Sequence, residues 1–257
     1  MTTDKAKPVS PNAVRVWRGY RLSTLPLDQF YSKLGTVFVP ATVLMQINAG
    51  LYSYTPTVPG GLDGKPDTVP DETAILFWDS QETYWNGFTT LAVRTYTLTH
   101  GGVYDKLGEL SRADLPKLFS GSLAAEQPVY LFDKAADWMH GTITHLVAGR
   151  AANVDPTAFQ IAIAKALSTI QKQVPLDGAI ACVGNDYLVY WELRAVAIGT
   201  NQPPSGIPAL QAVLSGWNQV FTPAPTFLPI GLWDKWAGMD VRAGSSFNMQ
   251  FTRLAEK

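Results

Sequence analysis

The three histidines of this sequence are its clearest acid/base candidates, because imidazole exchanges a proton near neutral pH. His100 lies near the end of a predicted helix, where it could also interact with the helix dipole. His145 lies in a predicted apolar strand, from which it could point into a cavity and shuttle protons. His140 precedes that strand and is expected at its rim. We predict His145 and His100 as catalytic residues, with a buried structural histidine as the alternative at both positions.

Tyrosines offer a second route to the same chemistry. Tyr20 lies on a predicted strand and shares one face with Arg18, and Tyr52 and Tyr54 share a face of another strand. A buried tyrosine beside an arginine can donate a hydrogen bond to a phenolate or enolate oxygen. We predict Tyr54 and Tyr20 as further catalytic candidates, and aromatic packing in the core is the structural alternative.

Charged residues within apolar strands are a third signal, because a buried charge needs a partner. Glu192 is predicted to share a strand face with Arg194, as a cavity acid held by arginine or as a pair on an edge strand. Arg94 and Tyr84 are ten residues apart on a predicted helix, roughly on one face. We assign Arg94 or Arg150 to stabilise charge that develops on a substrate.

Metal and cofactor motifs are nearly absent from the sequence. His140 and His145 follow Asp133 and Asp137, but their odd separation would place them on opposite faces of a strand. The sequence has no glycine-rich dinucleotide fingerprint, no P-loop and no G-x-S-x-G nucleophile elbow. The single cysteine, Cys182, is expected to be a small buried apolar residue. We therefore expect neither a metal site nor a cofactor.

The elements that must position these residues repeat one pattern twice. The first repeat is predicted to have strands at 14–22, 51–57, 73–78 and 129–132, a helix from Asp28 that Pro40 ends or kinks, and a helix from Gln81 capped by Asp79. The second repeat is predicted to have strands at 142–150, 178–183, 187–197 and 247–252, a helix starting at Asp155-Pro156, and a helix over 207–221.

Each repeat has the element order β-α-β-β-α-β, which is that of the ferredoxin-like unit. The sequence therefore predicts an α+β fold with a flexible N-terminus at 1–12 and two ferredoxin-like halves at 13–133 and 134–257. Because both helices of such a unit cover one sheet face, the uncovered faces are expected to pack sheet to sheet as an intrachain α+β barrel around a partly apolar cavity.

The composition and charge of the chain indicate which partners and which location to expect. Of the 257 residues 46% are hydrophobic and 16% are charged, the net charge is −1, and there is no basic run, so neither a nucleic acid nor an anionic membrane is an expected partner. No apolar stretch approaches the roughly 18 residues of a membrane span, and the N-terminal residues lack the apolar core of a signal peptide. A cytoplasmic location is expected. The many aromatic residues suit both a core and a pocket for flat ligands.

Three segments of the first half carry a family resemblance: the predicted helix 30–40 ending in proline, the run 50–54, and the run 75–84 with its W-x-S-x-E-x-Y pattern. With these segments the half resembles the dimeric α+β barrel superfamily of stress-responsive barrel proteins and small monooxygenases.

The duplicated layout also resembles bacterial chalcone isomerase, a cofactor-free enzyme with two such halves. Residues 37–42 are similar to its V-H-I-P-x-S segment, and residues 127–132 to the segment before its second half. Phe38 stands where that family has its catalytic histidine and cannot move a proton. The resemblance therefore supports the fold better than it supports chalcone isomerisation.

Together these observations predict a cofactor-independent isomerase, cyclase or lyase that acts on a small aromatic or polyketide-like molecule. The alternatives are a cofactor-free monooxygenase or haem-binding barrel, and a non-catalytic stress-responsive protein that binds small molecules. Internal duplication permits a homodimer without requiring one. The predicted substrate-binding residues are Arg94, Arg150, Trp78, Trp85, Phe38 and Glu192.

Overall fold

A computed structural model describes residues 8–47, 49–60, 64–195, 205–229 and 239–252. Its strands are β1 (Val14–Gly19), β2 (Leu51–Thr57), β3 (Glu72–Trp78), β4 (Arg112–Asp114), β5 (Lys117–Leu118), β6 (Val129–Tyr130), β7 (Gly141–Gly149), β8 (Gly178–Val183), β9 (Tyr187–Ala195), β10 (Asn218–Phe221), β11 (Pro225–Pro229) and β12 (Asn248–Thr252). Its helices are α1 (Leu27–Lys33), α2 (Val39–Ile47), α3 (Gln81–Gly87), α4 (Leu91–Thr99), α5 (Pro156–Gln173) and α6 (Ile207–Gln211), with a π-helical turn at Leu34–Phe38 and 3-10 turns at Pro11–Ala13 and His100–Gly102.

The chain divides into two compact units, each with its own six-stranded sheet. The first unit comprises Ala13–Gly64, Pro70–Asp114 and Ala224–Lys257, and the second comprises Met1–Asn12, Lys65–Val69 and Leu115–Pro223. The predicted halves divide the chain at other positions. The α+β class predicted from the sequence is confirmed, and the packing of the two halves sheet to sheet stays a prediction.

The sheet of the first unit has the order β11-β12-β2-β3-β1-β4. Its strands β4-β1-β3-β2 are mutually antiparallel and follow the order of a ferredoxin-like unit. Side chains of α1, α2 and α4 pack on one face of this sheet, among them Phe30, Val43 and Val93, which are all buried. The strand β12 extends the sheet by pairing with β2.

Of the two outcomes expected at Pro40, an end or a kink of the helix, the segment from α1 to α2 does not show the end. The backbone runs through the π-helical turn at Leu34–Phe38 and continues as α2, with Pro40 in the first turn of that helix. Proline has no N–H to donate, so the helix must rearrange ahead of it, and a widened turn meets that need without ending the helix.

The predicted helix from Gln81 is two helices. Ser80, not Asp79, caps α3, because the Ser80 hydroxyl accepts from the Thr83 N–H at 3.0 Å. The Thr90 hydroxyl accepts from the Val93 N–H at 3.3 Å and starts α4. The side chain of Thr90 competes with the helical hydrogen bonds of the backbone, which breaks the periodic pattern here. His100 follows α4 directly.

The sheet of the second unit has the order β10-β7-β9-β8-β6-β5, and β10-β7-β9-β8 repeats the ferredoxin-like order. The Asp155 side chain caps α5 by accepting from the N–H groups of Thr157 and Ala158 at 2.9 and 3.0 Å. Phe159, Ile163, Leu167 and Ile170 of α5 form the centre of the apolar core.

Three segments differ from the sequence prediction. The helix expected over 207–221 is wrong, because α6 ends at Gln211 and β10 pairs with β7. A Cβ at Gly216 would lie 2.2 Å from the Gly149 carbonyl oxygen, so the chain approaches the end of β7 at a position that only glycine fits. The strand β6, expected in the first half, pairs with β8 in the second unit. The last strand, β12, was expected in the second half but pairs with β2 in the first unit. The expected strand through Ala197 is described as far as Ala195, and residues 1–7 of the predicted flexible N-terminus also lie outside the described residues.

Among the described residues, no helix combines the length and the apolar character that crossing a membrane requires.

Candidate functional site

A cavity of about 440 Å³ lies within the first unit, between the sheet and the helices that cover it. This volume falls within the range of roughly 300–1,000 Å³ that is typical of small-molecule sites. Seven aromatic side chains line it: Trp17, Phe38, Tyr54, Trp78, Tyr84, Phe88 and Tyr96. The polar and charged lining residues are Arg15, Thr42, Gln46, Thr97, His100, Ser111, Arg112 and Asp114.

His100 lies in the wall of this cavity with one ring nitrogen fixed by the backbone. Its Nδ1 is 3.0 Å from the Thr97 carbonyl oxygen and 3.3 Å from that of Tyr96. Because carbonyl oxygens only accept, these contacts assign the proton of the neutral ring to Nδ1. Nε2 then keeps a lone pair, as a general base requires.

Aromatic rings hold the His100 ring on several sides. Phe38 meets it edge-on at a centroid distance of 4.7 Å, Tyr96 at 4.8 Å and Trp17 at 5.3 Å. Burial lowers the pKa of His100 to about 4, and the two backbone hydrogen bonds offset only part of that effect. His100 is therefore neutral at pH 7, and an anion formed next to it would raise its pKa again.

Acidification should destabilise the fold through His100. Because its folded pKa of about 4 is below its ordinary value of 6.5, the unfolded chain binds the proton first as the pH falls. The free energy of unfolding should therefore decline between roughly pH 6.5 and pH 4. Urea titrations at about pH 7 and about pH 4.5 measure this decline, and His100→Gln should make it smaller. An equal decline in the two proteins would contradict the assigned pKa.

Glu72 is the buried acid behind the cavity wall, at the first residue of β3. Its carboxylate accepts from Tyr54 Oη at 2.8 Å, from Trp17 Nε1 at 2.9 Å and from Tyr104 Oη. Burial raises the pKa of Glu72, and the hydrogen bonds from Tyr104, Tyr54 and Trp17 act in the opposite direction. Glu72 thus fixes three aromatic rings, two of which line the cavity.

Sequence reasoning missed Glu72. The predicted strand began at Thr73, which left Glu72 outside it. An acidic residue close before the apolar run 74–78 was the available signal. In the structure Glu72 pairs with Gly19 of β1 and is fully buried.

The hydroxyl groups of Thr42 and Tyr96 form a second fixed pair in the wall. Thr42 Oγ1 donates to the Phe38 carbonyl oxygen at 2.9 Å and lies 2.5 Å from Tyr96 Oη. Thr42 has only one proton, which goes to Phe38, so Tyr96 is the donor in the second contact. Burial raises the pKa of Tyr96, which keeps its hydroxyl protonated.

The predicted pairing of Tyr52 and Tyr54 on one face is wrong. The register between β2 and β3 shifts between Leu51 and Ser53, which is the signature of a β-bulge. Tyr54 lines the cavity, whereas the Tyr52 ring packs against Phe77 at 6.3 Å. One extra residue in the strand therefore moves Tyr52 to the other face.

The cavity brings together four of the predicted site residues: His100, Tyr54, Trp78 and Phe38. Three others belong to the first unit without lining the cavity. The Arg94 side chain is exposed and its Nε donates to the Phe88 carbonyl oxygen at 2.7 Å. Trp85 is 57% exposed. Tyr20 is partly buried and its backbone N–H donates to Ser111 Oγ at 2.9 Å.

The remaining predicted residues lie in the second unit. Arg150 pairs with Asp186 and donates to the Asn185 carbonyl oxygen at 2.9 Å, which ties it to the β8–β9 turn. Glu192 is fully buried and accepts from Ser205 Oγ at 2.6 Å and from the Gly206 N–H at 2.8 Å. Both charged side chains therefore have partners within the second unit that explain them as structural residues.

His145 is the catalytic candidate of the second unit. Its ring stacks on Trp191 at 4.1 Å, and its Nδ1 lies 3.0 Å from the Tyr190 carbonyl oxygen. Burial lowers its pKa to about 3. His145 remains a predicted catalytic residue, but it does not line the cavity that holds His100.

The comparisons with known proteins find distant likenesses in structure. An anthrone oxidase-like protein aligns over 84% of this chain and 93% of its own, with a TM-score of 0.33 and 10% identity. A candidate monooxygenase from Lactobacillus acidophilus aligns over 81% and 91%, with a TM-score of 0.34 and 10% identity. A candidate monooxygenase from Fusobacterium nucleatum aligns over 85% and 92%, with a TM-score of 0.34 and 9% identity.

No described protein family matches the sequence. No curated protein matches it either. The function of this chain therefore rests on the chemistry of its own cavity.

Proposed function

We propose that the cavity of the first unit is the active site of a cofactor-independent oxygenase for small enolisable aromatic molecules. The observation that carries this proposal is the His100 ring in the aromatic wall, with its proton assigned to Nδ1 and a lone pair on Nε2. Such a ring can remove a proton from a carbon or oxygen that is acidified by an adjacent aromatic ketone.

The proposed reaction begins with proton transfer from a ring methylene of the substrate to His100 Nε2. The resulting carbanion passes electrons to dioxygen, and a carbon–oxygen bond forms to give a peroxide anion. His100 returns its proton to the peroxide, and loss of water leaves a ketone at the former methylene. One oxygen atom ends in the product and the other in water, and the substrate supplies all the electrons.

Two of the cavity tyrosines already donate their hydroxyl protons within the protein. The Tyr54 hydroxyl donates its proton to Glu72, and the Tyr96 hydroxyl donates its proton to Thr42. The oxygenase route needs no further proton donor, because it uses only the proton that His100 has already taken.

The second candidate function is the isomerase, cyclase or lyase reaction predicted from the sequence. His100 supports it because a single base can also return its proton to another position of the same enolate. The two functions share the first proton transfer and differ in what consumes the enolate.

Anthrone, a tricyclic enolisable ketone, separates these functions. In D2O under argon, ¹H NMR should show faster exchange of the anthrone methylene protons with the protein than in buffer alone. In air, an oxygen electrode should record one O2 consumed for each anthraquinone formed. Exchange without oxygen uptake would support the isomerase or lyase class instead. Binding with neither exchange nor oxygen uptake would contradict both enzymatic functions.

A further inference from the structure

One corner of the cavity carries an excess of positive charge. Arg15 of β1 and both Arg112 and Asp114 of β4 line this corner. The Asp114 carboxylate accepts from Arg112 Nε and Nη2 at 2.5 and 2.8 Å, and from Arg18 Nη2 at 2.6 Å. The lining side chains Arg15, Arg112 and Asp114 carry two positive charges and one negative charge, so the corner attracts anions.

Arg15 is the member of this corner that is best placed to select a ligand. Its side chain is buried, with 2% of the residue exposed. Its guanidinium lies over the Tyr84 ring at 3.9 Å from the centroid, and Nη1 donates to the Val14 carbonyl oxygen at 2.9 Å. Stacking of this kind holds the plane of the guanidinium and fixes the direction of its N–H groups.

Asp114 and Arg15 differ in how much a bound carboxylate would stabilise their charged forms. Burial tends to raise the pKa of Asp114, but the hydrogen bonds from Arg112 and Arg18 outweigh burial and hold its pKa below the ordinary value. Burial lowers the pKa of Arg15, and its interactions with Tyr84 and Asp114 offset only part of that effect, so this cation remains costly where it lies. A carboxylate brought into the cavity would offset that cost and match the fork geometry of a guanidinium.

We propose that the ligand of this cavity is an aromatic carboxylate whose carboxyl group pairs with Arg15 while its ring lies against Trp17 and Phe38. The inference deepens the proposed function, because it names the class of substrate that the oxygenase would take. It concerns binding alone, however, and can be tested without any turnover.

A matched pair of ligands tests the proposal directly: 2-naphthoate, which carries a carboxylate, and 2-naphthamide, which has the same shape and no charge. Titration calorimetry on the full chain should give a Kd for 2-naphthoate about 10- to 100-fold lower than that for 2-naphthamide, as expected for a charge-assisted hydrogen bond of about 1.5–3 kcal/mol. Arg15→Met should remove this preference and leave the affinity for 2-naphthamide nearly unchanged. Arg94→Met, which removes an exposed arginine outside the cavity lining, should keep the preference.

Equal affinities of the wild-type protein for the two ligands would overturn the proposal, and this result needs no variant to fold. A preference that survives in Arg15→Met would overturn it as well. Arg15→Lys keeps the charge and should retain part of the preference. Selective binding of 2-naphthoate without oxygen uptake or proton exchange on anthrone would leave this inference standing and count against the proposed function alone.

Discussion

Replacing His100 by glutamine should slow proton removal from anthrone about 10²- to 10⁴-fold, the range usually lost with a general base. Glutamine can still donate to the Thr97 carbonyl oxygen but cannot accept a proton from a substrate carbon. The measurement is the rate of methylene proton exchange in D2O under argon, after subtraction of the rate in buffer. Oxygen uptake in air should fall by a similar factor.

His140→Gln is the matched control for this variant. His140 is exposed and lies next to Asp137, with 3.2 Å between its Nδ1 and the carboxylate, so its loss should leave the exchange rate within about twofold. His145→Gln tests the other predicted histidine in the same assay. Wild-type exchange in His100→Gln would contradict the role of His100 as the base.

Replacing Glu72 by alanine should lower the free energy of unfolding by about 3 kcal/mol or more. Tyr54, Tyr104 and Trp17 would each lose the acceptor of a buried hydrogen bond, and an unsatisfied buried donor costs about 1–3 kcal/mol. Water that enters the space left by the side chain would recover part of that cost. Urea unfolding at neutral pH measures the difference.

Glu82→Ala is the matched control, because Glu82 is an exposed glutamate in the first turn of α3. Its loss should change the free energy of unfolding by no more than about 0.5 kcal/mol. The pH dependence gives a second test. Because burial raises the folded pKa of Glu72, its contribution to stability falls as the pH rises from about 4.5, and Glu72→Gln should remove that slope. A loss below about 1 kcal/mol in Glu72→Ala would contradict the three hydrogen bonds.

The first three strands of each unit were predictable because local signals and connection rules act together, whereas the fourth strands, β4 and β10, were not predicted. Strand patterns alternate with helical spacing twice along the chain, and a β-α-β-β-α-β run has few ways to form one sheet. Both sheets contain the resulting antiparallel core. The helix that starts at Asp155-Pro156 was predicted because the cap and the proline are both local features.

The candidate site was only partly predictable, because its parts depend on irregularities that no periodic pattern contains. The bulge in β2 separates Tyr52 from Tyr54, and the break at Thr90 sets where α4 begins, the helix that His100 follows directly. Glu72 was not predicted as a core residue because the predicted strand began one residue after it, at Thr73, whereas β3 begins at Glu72. In one continuous helix Arg94 would lie on roughly the same face as Tyr84. The break at Thr90 places the two residues in different helices, and Arg94 is exposed.

The proposed function depends on the protonation state of His100, which ¹⁵N NMR of histidine-labelled protein measures directly. The chain has three histidines, so His140→Gln and His145→Gln suffice to assign the signals of His100. At pH 7 we expect a protonated Nδ1, an unprotonated Nε2 and a shift of the Nε2 signal when anthrone is added. A proton on Nε2 at pH 7, or an Nε2 signal that does not shift with anthrone, would contradict the role of His100 as the base.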